Sequence, residues 1–439
     1  MKNWKNKVNP FQILLFGFVF LALLGGIILS LPVSTASGES QSFVDALFTA
    51  SSAVSTTGLI VVDTGSFYSL FGQIVILLWF QIGGLGYMTI IASLAFLIQQ
   101  KLSIKAGLSV VSSIAGAPRG NLKSYIKKIF FFTFLAELLG AILLFSVFLK
   151  RFGVIKSLYL AVFHSVSAFC TAGFSTFSDS FTYYQNNVPL NFSLFLVMIL
   201  GSLGFFVLND IFNLIKKKLS RQRPCQLHLH SKLVFFISSI LILTGFSIIF
   251  FAEKDLPVLP SLFQAVSAST TTGFNTIDIG MMSHASLFFI IFAMFIGAAP
   301  GGTAGGIKNT TFAVLLIDLK RYFTSQRDAN FAKRKIFKST VEQAYVIIFF
   351  TLMVCFSVLF LLSLTENLPF LQLTFEVFSA FGTIGLSTGI TSDLSELGKI
   401  LISALMIFGR VGPTIVGFSV FKKEQKKHYQ FAEEEVYIG

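Results

Sequence analysis

Long apolar runs alternate along this chain with short segments that are only half apolar. The long runs cover 11–31, 70–99, 122–149, 189–216, 231–252, 282–320, 338–363 and 396–421, and they group as four pairs. A helix rises 1.5 Å per residue and a bilayer core is about 30 Å thick, so roughly 20 apolar residues can cross it. The first run, from Phe11 to Leu31, carries no charge over 21 residues. Lys2, Lys5 and Lys7 precede it, as in a signal peptide, but the run exceeds an h-region and lacks a small-residue cleavage site. It reads as a retained first span.

One half-apolar segment lies within each pair, and all four carry the pattern Phe-x-x-x-Ser-Ala-x-x-Thr-x-Gly-(Leu or Phe). The copies are Phe48, Ser52, Ala53, Thr56, Gly58, Leu59; Phe163, Ser167, Ala168, Thr171, Gly173, Phe174; Phe263, Ser267, Ala268, Thr271, Gly273, Phe274; and Phe375, Ser379, Ala380, Thr383, Gly385, Leu386. The glycines lie 115, 100 and 112 residues apart (173−58, 273−173, 385−273), the period of a repeated subdomain larger than a solenoid unit. A segment of about 14 residues, such as 44–57, reaches only about 20 Å and must turn back inside the membrane. The serines read as small residues that let helices pack closely, and the phenylalanines as wedges between helices.

Composition puts these runs in a membrane. The 439-residue chain is 54% hydrophobic, with 54 Phe and 12% charged residues, and its mean hydropathy of +0.79 lies far above that of an ordinary globular domain. The predicted fold is an all-α membrane protein of four covalent span–pore-loop–span repeats, with eight transmembrane helices and four re-entrant pore helices around one pseudo-fourfold pore. The repeats are 1–99 (pore loop 44–65), 100–217 (pore loop 158–180), 218–323 (pore loop 260–280) and 324–421 (pore loop 370–391), followed by a tail, 422–439.

Basic residues cluster at 2–7, 101–128, 216–232, 320–338 and 422–427, opposite the re-entrant segments; Lys150, Arg151, Lys156 and Lys254 are exceptions. The positive-inside rule makes the basic side, with both termini, cytoplasmic. The net charge of +13 then needs no nucleic acid, since anionic lipid or an acidic partner suffices. Cys170, Cys225 and Cys355 show neither metal-ligand spacing nor a disulfide framework.

The loops after the re-entrant helices carry the chemistry. Irregular backbone at membrane depth is tolerated only where it is buried in protein or lines water, so the four loops should surround one axial path. The helix C-termini favour a cation there, and glycine lets the backbone aim carbonyl oxygens at it, as in potassium filters. The expected filter comprises Thr56, Thr57 and Gly58; Thr171, Ala172 and Gly173; Thr271, Thr272 and Gly273; and Thr383, Ile384 and Gly385.

Two further features stand out. The stretch 297–308 contains Gly297, Pro300, Gly301, Gly302, Thr303, Gly305, Gly306 and Lys308, and it cannot remain helical when Gly costs about 1 kcal/mol and Pro about 3 in a helix interior. It matches no phosphate-binding glycine motif and follows no strand. A movable loop beside the path and a plain kink both fit. Arg410 lies within the last span, where a guanidinium either faces the protein interior with a functional role or snorkels to the interface. Asp63 and Asp278 fall five residues after their filter glycines and Asp179 six, where they either concentrate cations or cap turns. Glu137, His164 and Glu376 read first as structural hydrogen-bonding groups, with a sodium or proton role for the carboxyls as the lesser alternative.

Four such repeats with one filter glycine each resemble the Trk/Ktr/HKT superfamily of potassium transporters over nearly the whole chain, and look most like the membrane subunits of bacterial Ktr systems. The resemblance implies potassium uptake, with sodium sensitivity in many members. It implies a gate just under the filter formed by Gly297, Gly301, Gly302, Thr303, Gly305, Gly306 and Lys308, with Arg410 as electrostatic barrier or anchor. It also implies a homodimer and a cytoplasmic, KtrA-like ring of Rossmann-type subunits that binds ATP, ADP or NAD; this chain itself needs no cofactor. The tail departs from the family's usual ending. The rival is a secondary transporter with alternating access, which usually shows inverted repeats with paired helix breaks, whereas only 297–306 reads as a strong break. An enzyme would need clustered His, Asp or Glu, and the sequence shows none.

Overall fold

The computed structural model describes residues 10–97, 122–221, 226–413 and 415–416. The basic clusters at 2–7 and 422–427, the 101–119 part of another, Cys225 and the tail 422–439 lie outside the described residues. Repeat one comprises α1 (Pro10–Leu29), α2 (Phe43–Ser55), the one-turn α3 (Thr64–Phe67), α4 (Leu70–Leu85) and α5 (Tyr87–Leu97). Repeat two has α6 (Leu122–Phe148), α7 (Val154–Phe169), α8 (Val188–Ser202) and α9 (Phe205–Leu219); repeat three has α10 (Leu229–Ala252), α11 (Val258–Thr270), α12 (His284–Ile296) and α13 (Asn309–Phe323). A two-residue antiparallel hairpin, β1 (Asn330–Phe331) and β2 (Arg334–Lys335), interrupts what the sequence presents as a plain basic linker. Repeat four has α14 (Lys338–Thr365), α15 (Phe370–Gly382) and α16 (Glu396–Val411).

The first helices of the repeats, α1, α6, α10 and α14, are each long and apolar enough to cross a membrane. Their outward faces are apolar, with Phe20 63%, Phe134 67% and Phe349 74% exposed, as a lipid-facing surface requires. The short helices α2, α7, α11 and α15 are buried instead, and the motif rings Phe48, Phe163, Phe263 and Phe375 are fully enclosed. Phe163 meets Phe80 edge-on at 5.6 Å, and Phe263 meets Phe195 at 5.5 Å. The apolar core has one large cluster mainly from repeats one and two and another mainly from repeats three and four. Lys399 on α16 pairs with Asp45 on α2 at 2.7 Å and ties the last repeat to the first.

The helices that follow the motif loops, α4, α8, α12 and α16, begin alike. Ser69, Asn187, Ser283 and Ser395 cap α4, α8, α12 and α16 by accepting the N–H three residues on, which satisfies an otherwise orphan donor. The sequence suggests one strong break among these spans, and here the structure corrects it. Gly86, Gly204 and Gly412 interrupt repeats one, two and four at φ of 77°, 83° and 94°, and α8 meets α9 at 101°. Each lies 17 residues after its cap (86−69, 204−187, 412−395). In repeat three the corresponding residue is Lys308, at φ 80°, and it lies 25 residues after Ser283 (308−283). The glycine-rich stretch thus carries an eight-residue insertion (25−17) at a break that all four repeats share.

Three residues before each hinge glycine, Gly83, Gly201 and Gly409 press on the end of the short helix. A Cβ on them would strike the carbonyl oxygens of Val54, Phe169 and Phe381. Gly297 holds the same interval of 14 residues from its cap (297−283) and opens the insertion. Because backbone cannot yield as a flexible side chain does, Gly201→Ala is expected to destabilise the protein by about 1–3 kcal/mol. Gly153→Ala, where a Cβ has open space but glycine is the N-cap of α7, should lower the thermal unfolding midpoint in detergent less, by the N-cap preference alone.

Candidate functional site

Each short helix ends in a threonine held in the left-handed region: Thr56, Thr171, Thr271 and Thr383, at φ 56°, 50°, 56° and 48°. A β-branched residue there is an outlier, costing roughly 1–2 kcal/mol. Two backbone bonds offset that cost. The threonine N–H donates to the motif alanine carbonyl, and the next N–H donates to the motif serine carbonyl at 2.8, 2.8, 3.0 and 3.0 Å along the chain. This is a Schellman ending with threonine in place of the usual glycine. The serine hydroxyls, expected only as small packing residues, also bridge the reversal. Ser52 and Ser379 accept the N–H of Gly58 and Gly385 at 3.0 and 3.2 Å, while Ser167 and Ser267 donate to the carbonyls of Phe174 and Phe274 at 2.8 and 2.6 Å.

The reversed strands meet around one axis. A Cβ on Gly58 would fall 2.5 Å from the Ala172 carbonyl oxygen, and one on Gly173 would fall 2.6 Å from that of Thr272. A Cβ on Gly273 would strike the Ile384 carbonyl oxygen, and one on Gly385 that of Thr57. The contacts run from repeat one to two, three, four and back to one, a closed cycle. All four glycines have positive φ, and all twelve expected filter residues stand at this ring, including the fully buried Thr57, Ala172, Thr272 and Ile384. Two of the threonine hydroxyls, on Thr271 and Thr383, are buried with no partner among the described residues.

A cavity of about 630 Å³ opens beyond the four glycines, with Asp179 and Asp278 in its lining. Asp63 and Asp278 cap turns, accepting the N–H of Ser66 at 2.8 Å and of Gly280 at 2.9 Å. On the other side of the ring lies the glycine-rich insertion. Thr303 is fully buried, and its hydroxyl donates to the Phe169 carbonyl at 2.9 Å. The Thr56 and Thr171 hydroxyls donate to the carbonyls of Ser55 and Cys170 at 2.6 and 2.7 Å and lie 3.3 Å from the Thr303 carbonyl and Thr303 Oγ1, respectively. Gly305 packs on Gly382 and Thr383, so the loop touches three of the four motif threonines.

Arg410 does not snorkel. Its Nη1 donates to the Thr303 carbonyl and its Nη2 to those of Gly83 and, at 2.9 Å, Gly84. Lys308 Nζ donates to the carbonyls of Ala304 and, at 3.1 Å, Gly305. Gly301, Gly302, Gly306, Lys308 and Arg410 line a second cavity of about 460 Å³ together with Gly86 and Gly412. Gly297 opposes Gly306 across the loop base, where a Cβ on Gly306 would fall 2.8 Å from the Gly297 Cα. Among the described residues no His, Cys, Asp or Glu group has the arrangement of a metal site.

With this arrangement in hand, comparison with known proteins is decisive. Residues 21–429 match the family model TrkH, described as cation transport protein. The chain belongs to the TrkH family. It is 36% identical to the potassium/sodium uptake protein NtpJ of Enterococcus hirae, covering 100% of this chain and 99% of that protein. It is 35% identical to the Ktr system potassium uptake protein B of Bacillus subtilis, covering 99% and 97%. The potassium transporter TrkH from Vibrio parahaemolyticus shares the fold, with a TM-score of 0.74 at 20% identity over 96% of this chain and 86% of that one. As a family member with several long apolar helices it is a multi-pass membrane protein.

The hinge glycines and serine bridges escaped the sequence reading. The constant spacing from each cap to Gly86, Gly204 and Gly412 was the available signal for the hinges; the hydroxyl bonds leave none. Asp63 offers a test of the outer turn. Burial pushes its carboxyl up, but bonds from Ser178, Ser66 and Gly65 outweigh this and hold it below the usual carboxylate range. A depressed folded pKa gives stability that is fully present above the unfolded value of about 4 and is lost as pH falls through the folded value. Thermal unfolding followed from pH 7 down to about 2.5 should show part of that acid loss vanish in Asp63→Asn.

Proposed function

We propose that this chain takes up potassium across the bacterial plasma membrane through the axis of the glycine ring, with eight transmembrane helices, four re-entrant pore helices and both termini cytoplasmic. The observation that carries this is the closed cycle in which each motif glycine lies against the backbone carbonyl of the next repeat. Four helix C-termini converge there, and their carbonyls supply the oxygen ligands that a dehydrated monovalent cation needs. The names of the Bacillus and Enterococcus relatives support potassium as the ion. The Enterococcus name also includes sodium, which supports a sodium-modulated transporter.

The insertion 297–308 is the gate, and Arg410 and Lys308 hold it through its carbonyls. It stands between the ring and the basic side, so an ion leaving the ring meets it first. A relative named as part of a Ktr system supports control by a partner; the proposed assembly is a homodimer on a cytoplasmic, KtrA-like ring that binds ATP, ADP or NAD. Differential affinity of that ring for two gate arrangements would suffice to drive it. The hinges recur at one place in four repeats of the same sense, which supports a fourfold pore over inverted repeats with alternating access.

The filter is tested by four single variants, Gly58→Ser, Gly173→Ser, Gly273→Ser and Gly385→Ser, each reconstituted in liposomes for rubidium and sodium flux. Each is expected to lower the preference for rubidium, because the added Cβ has no room beside the neighbouring carbonyl. Wild-type ratios in all four would remove the ring from the pathway. The gate has its own test: deletion of 301–306 should raise flux and weaken dependence on a regulatory subunit, and Arg410→Ala should alter flux with selectivity kept. A folded deletion variant with flux at or below wild type would mark the loop as a kink.

A further inference from the structure

We propose that His164 and Glu376 are positioning residues that brace two opposite strands of the glycine ring from behind, and that discrimination among monovalent cations depends on them; this rests on the pore reading above. In every repeat the residue after the motif phenylalanine is polar and buried: Thr49, His164, Gln264 and Glu376. Their partners differ by repeat. His164 Nε2 accepts the Thr176 N–H at 3.3 Å and lies 3.1 Å from Ser175 Oγ, while Nδ1 lies 2.8 Å from the Leu160 carbonyl and carries the proton. Glu376 accepts the hydroxyl of Ser387 and, at 3.2 Å on both oxygens, that of Thr391.

Ser175 and Ser387 are each the second residue after a filter glycine, so both braces act on the strand just above the ring. Repeats one and three lack them. Thr49 donates to the Asp45 carbonyl and takes the Tyr68 hydroxyl, and neither polar atom of Gln264 has a partner among the described residues. Those repeats carry a different support below the glycine, the hydroxyl pairs Ser55–Thr57 at 2.6 Å and Thr270–Thr272 at 2.8 Å. The matching positions are Cys170 and Ala172 in repeat two, and Gly382 and Ile384 in repeat four, where no hydroxyl pair can form.

The cycle of glycine contacts sets repeats two and four opposite each other. These two kinds of side-chain support therefore alternate around the ring, below the glycine in one diagonal pair and above it in the other; Asn275, the matching position of repeat three, is held by repeat two instead, through Ser180 Oγ at 3.3 Å and the Phe181 N–H at 2.9 Å. A coordinating group held to within about 0.5 Å keeps its selectivity only while the shell behind it is intact, and buried polar networks are rigid only when fully satisfied.

The test measures the rubidium-to-sodium flux ratio of the full chain in liposomes for Glu376→Ala and His164→Ala. Glu376→Gln keeps a carbonyl acceptor, Gln264→Met is the unbraced control, and Gly385→Ser is the reference for the ring. The two alanine variants are expected to lower the ratio about tenfold, the effect of one lost buried hydrogen bond, with rubidium flux retained. Glu376→Gln should recover most of that ratio and Gln264→Met should match wild type. If an alanine variant fails to fold, Ser387→Ala or Ser175→Ala removes the same brace from its other end, with the same fall expected. Unchanged ratios in the brace variants with a shifted ratio in Gly385→Ser overturn the proposal and leave the pore standing. An equal fall in Gln264→Met also overturns it, and no shift in Gly385→Ser sinks the pore reading beneath it.

Discussion

At the axis of this molecule four backbones approach until no Cβ fits between them, each motif glycine facing the carbonyl that precedes the next repeat's glycine. Much of the local sequence answers to that approach. To bring a carbonyl to the axis, each short helix must stop abruptly and the chain must reverse within two residues. The reversal passes through a left-handed threonine, a strained choice that persists only where the surroundings over-determine it. The Schellman bonds and the serine bridges do so, and the bridges explain why Ser recurs at a fixed place while its neighbours vary. The large motif phenylalanine sits a full turn earlier, where the helix is buried and volume is needed.

The same crowding shapes the helices that follow the motif loops. To lie against the ends of the short helices they need glycine at 83, 201 and 409, and three residues later each is interrupted at a second glycine with positive φ. Repeat three keeps the first of these as Gly297 and replaces the two intervening residues by a ten-residue loop that ends at Lys308. A lysine at φ 80° bears a strain that glycine in the other repeats does not. Its ammonium group, on the loop's own carbonyls, supplies an interaction that glycine could not.

The sequence made the four motif copies and the loops after them, the glycine-rich interruption and the interior Arg410 legible, because each breaks an otherwise apolar pattern. It hid the hinges at Gly86, Gly204 and Gly412, since a lone glycine in an apolar run looks like a packing residue until its interval from the cap is compared across repeats. In the structure Asp63 and Asp278 cap turns, Asp278 also lines the outer cavity, and Arg410 donates to backbone carbonyls. The serine bridges and the unlike partners of Thr49, His164, Gln264 and Glu376 were not legible at all. Their partners are backbone groups or hydroxyls whose position depends on where the strand turns, and no periodicity encodes that.

The inserted loop is also where the four hinges are joined. Phe205 and Ala299 form backbone bonds between the repeat-two hinge and the loop, Phe205 N–H to Gly301 at 3.0 Å and Ala299 N–H to the Ser202 carbonyl at 3.2 Å. Arg410, two residues before the repeat-four hinge, bonds both to the loop at Thr303 and to Gly83 and Gly84 before the repeat-one hinge. The loop therefore cannot leave its place while the other hinges keep all their partners. Each neutral bond lost costs about 0.5–1.5 kcal/mol net, and a guanidinium left without acceptors at membrane depth costs more. A displaced loop leaves Arg410 the carbonyls of Gly83 and Gly84 and removes that of Thr303, so the bonds that hold the loop in place are spread over repeats two and four as well as the loop itself.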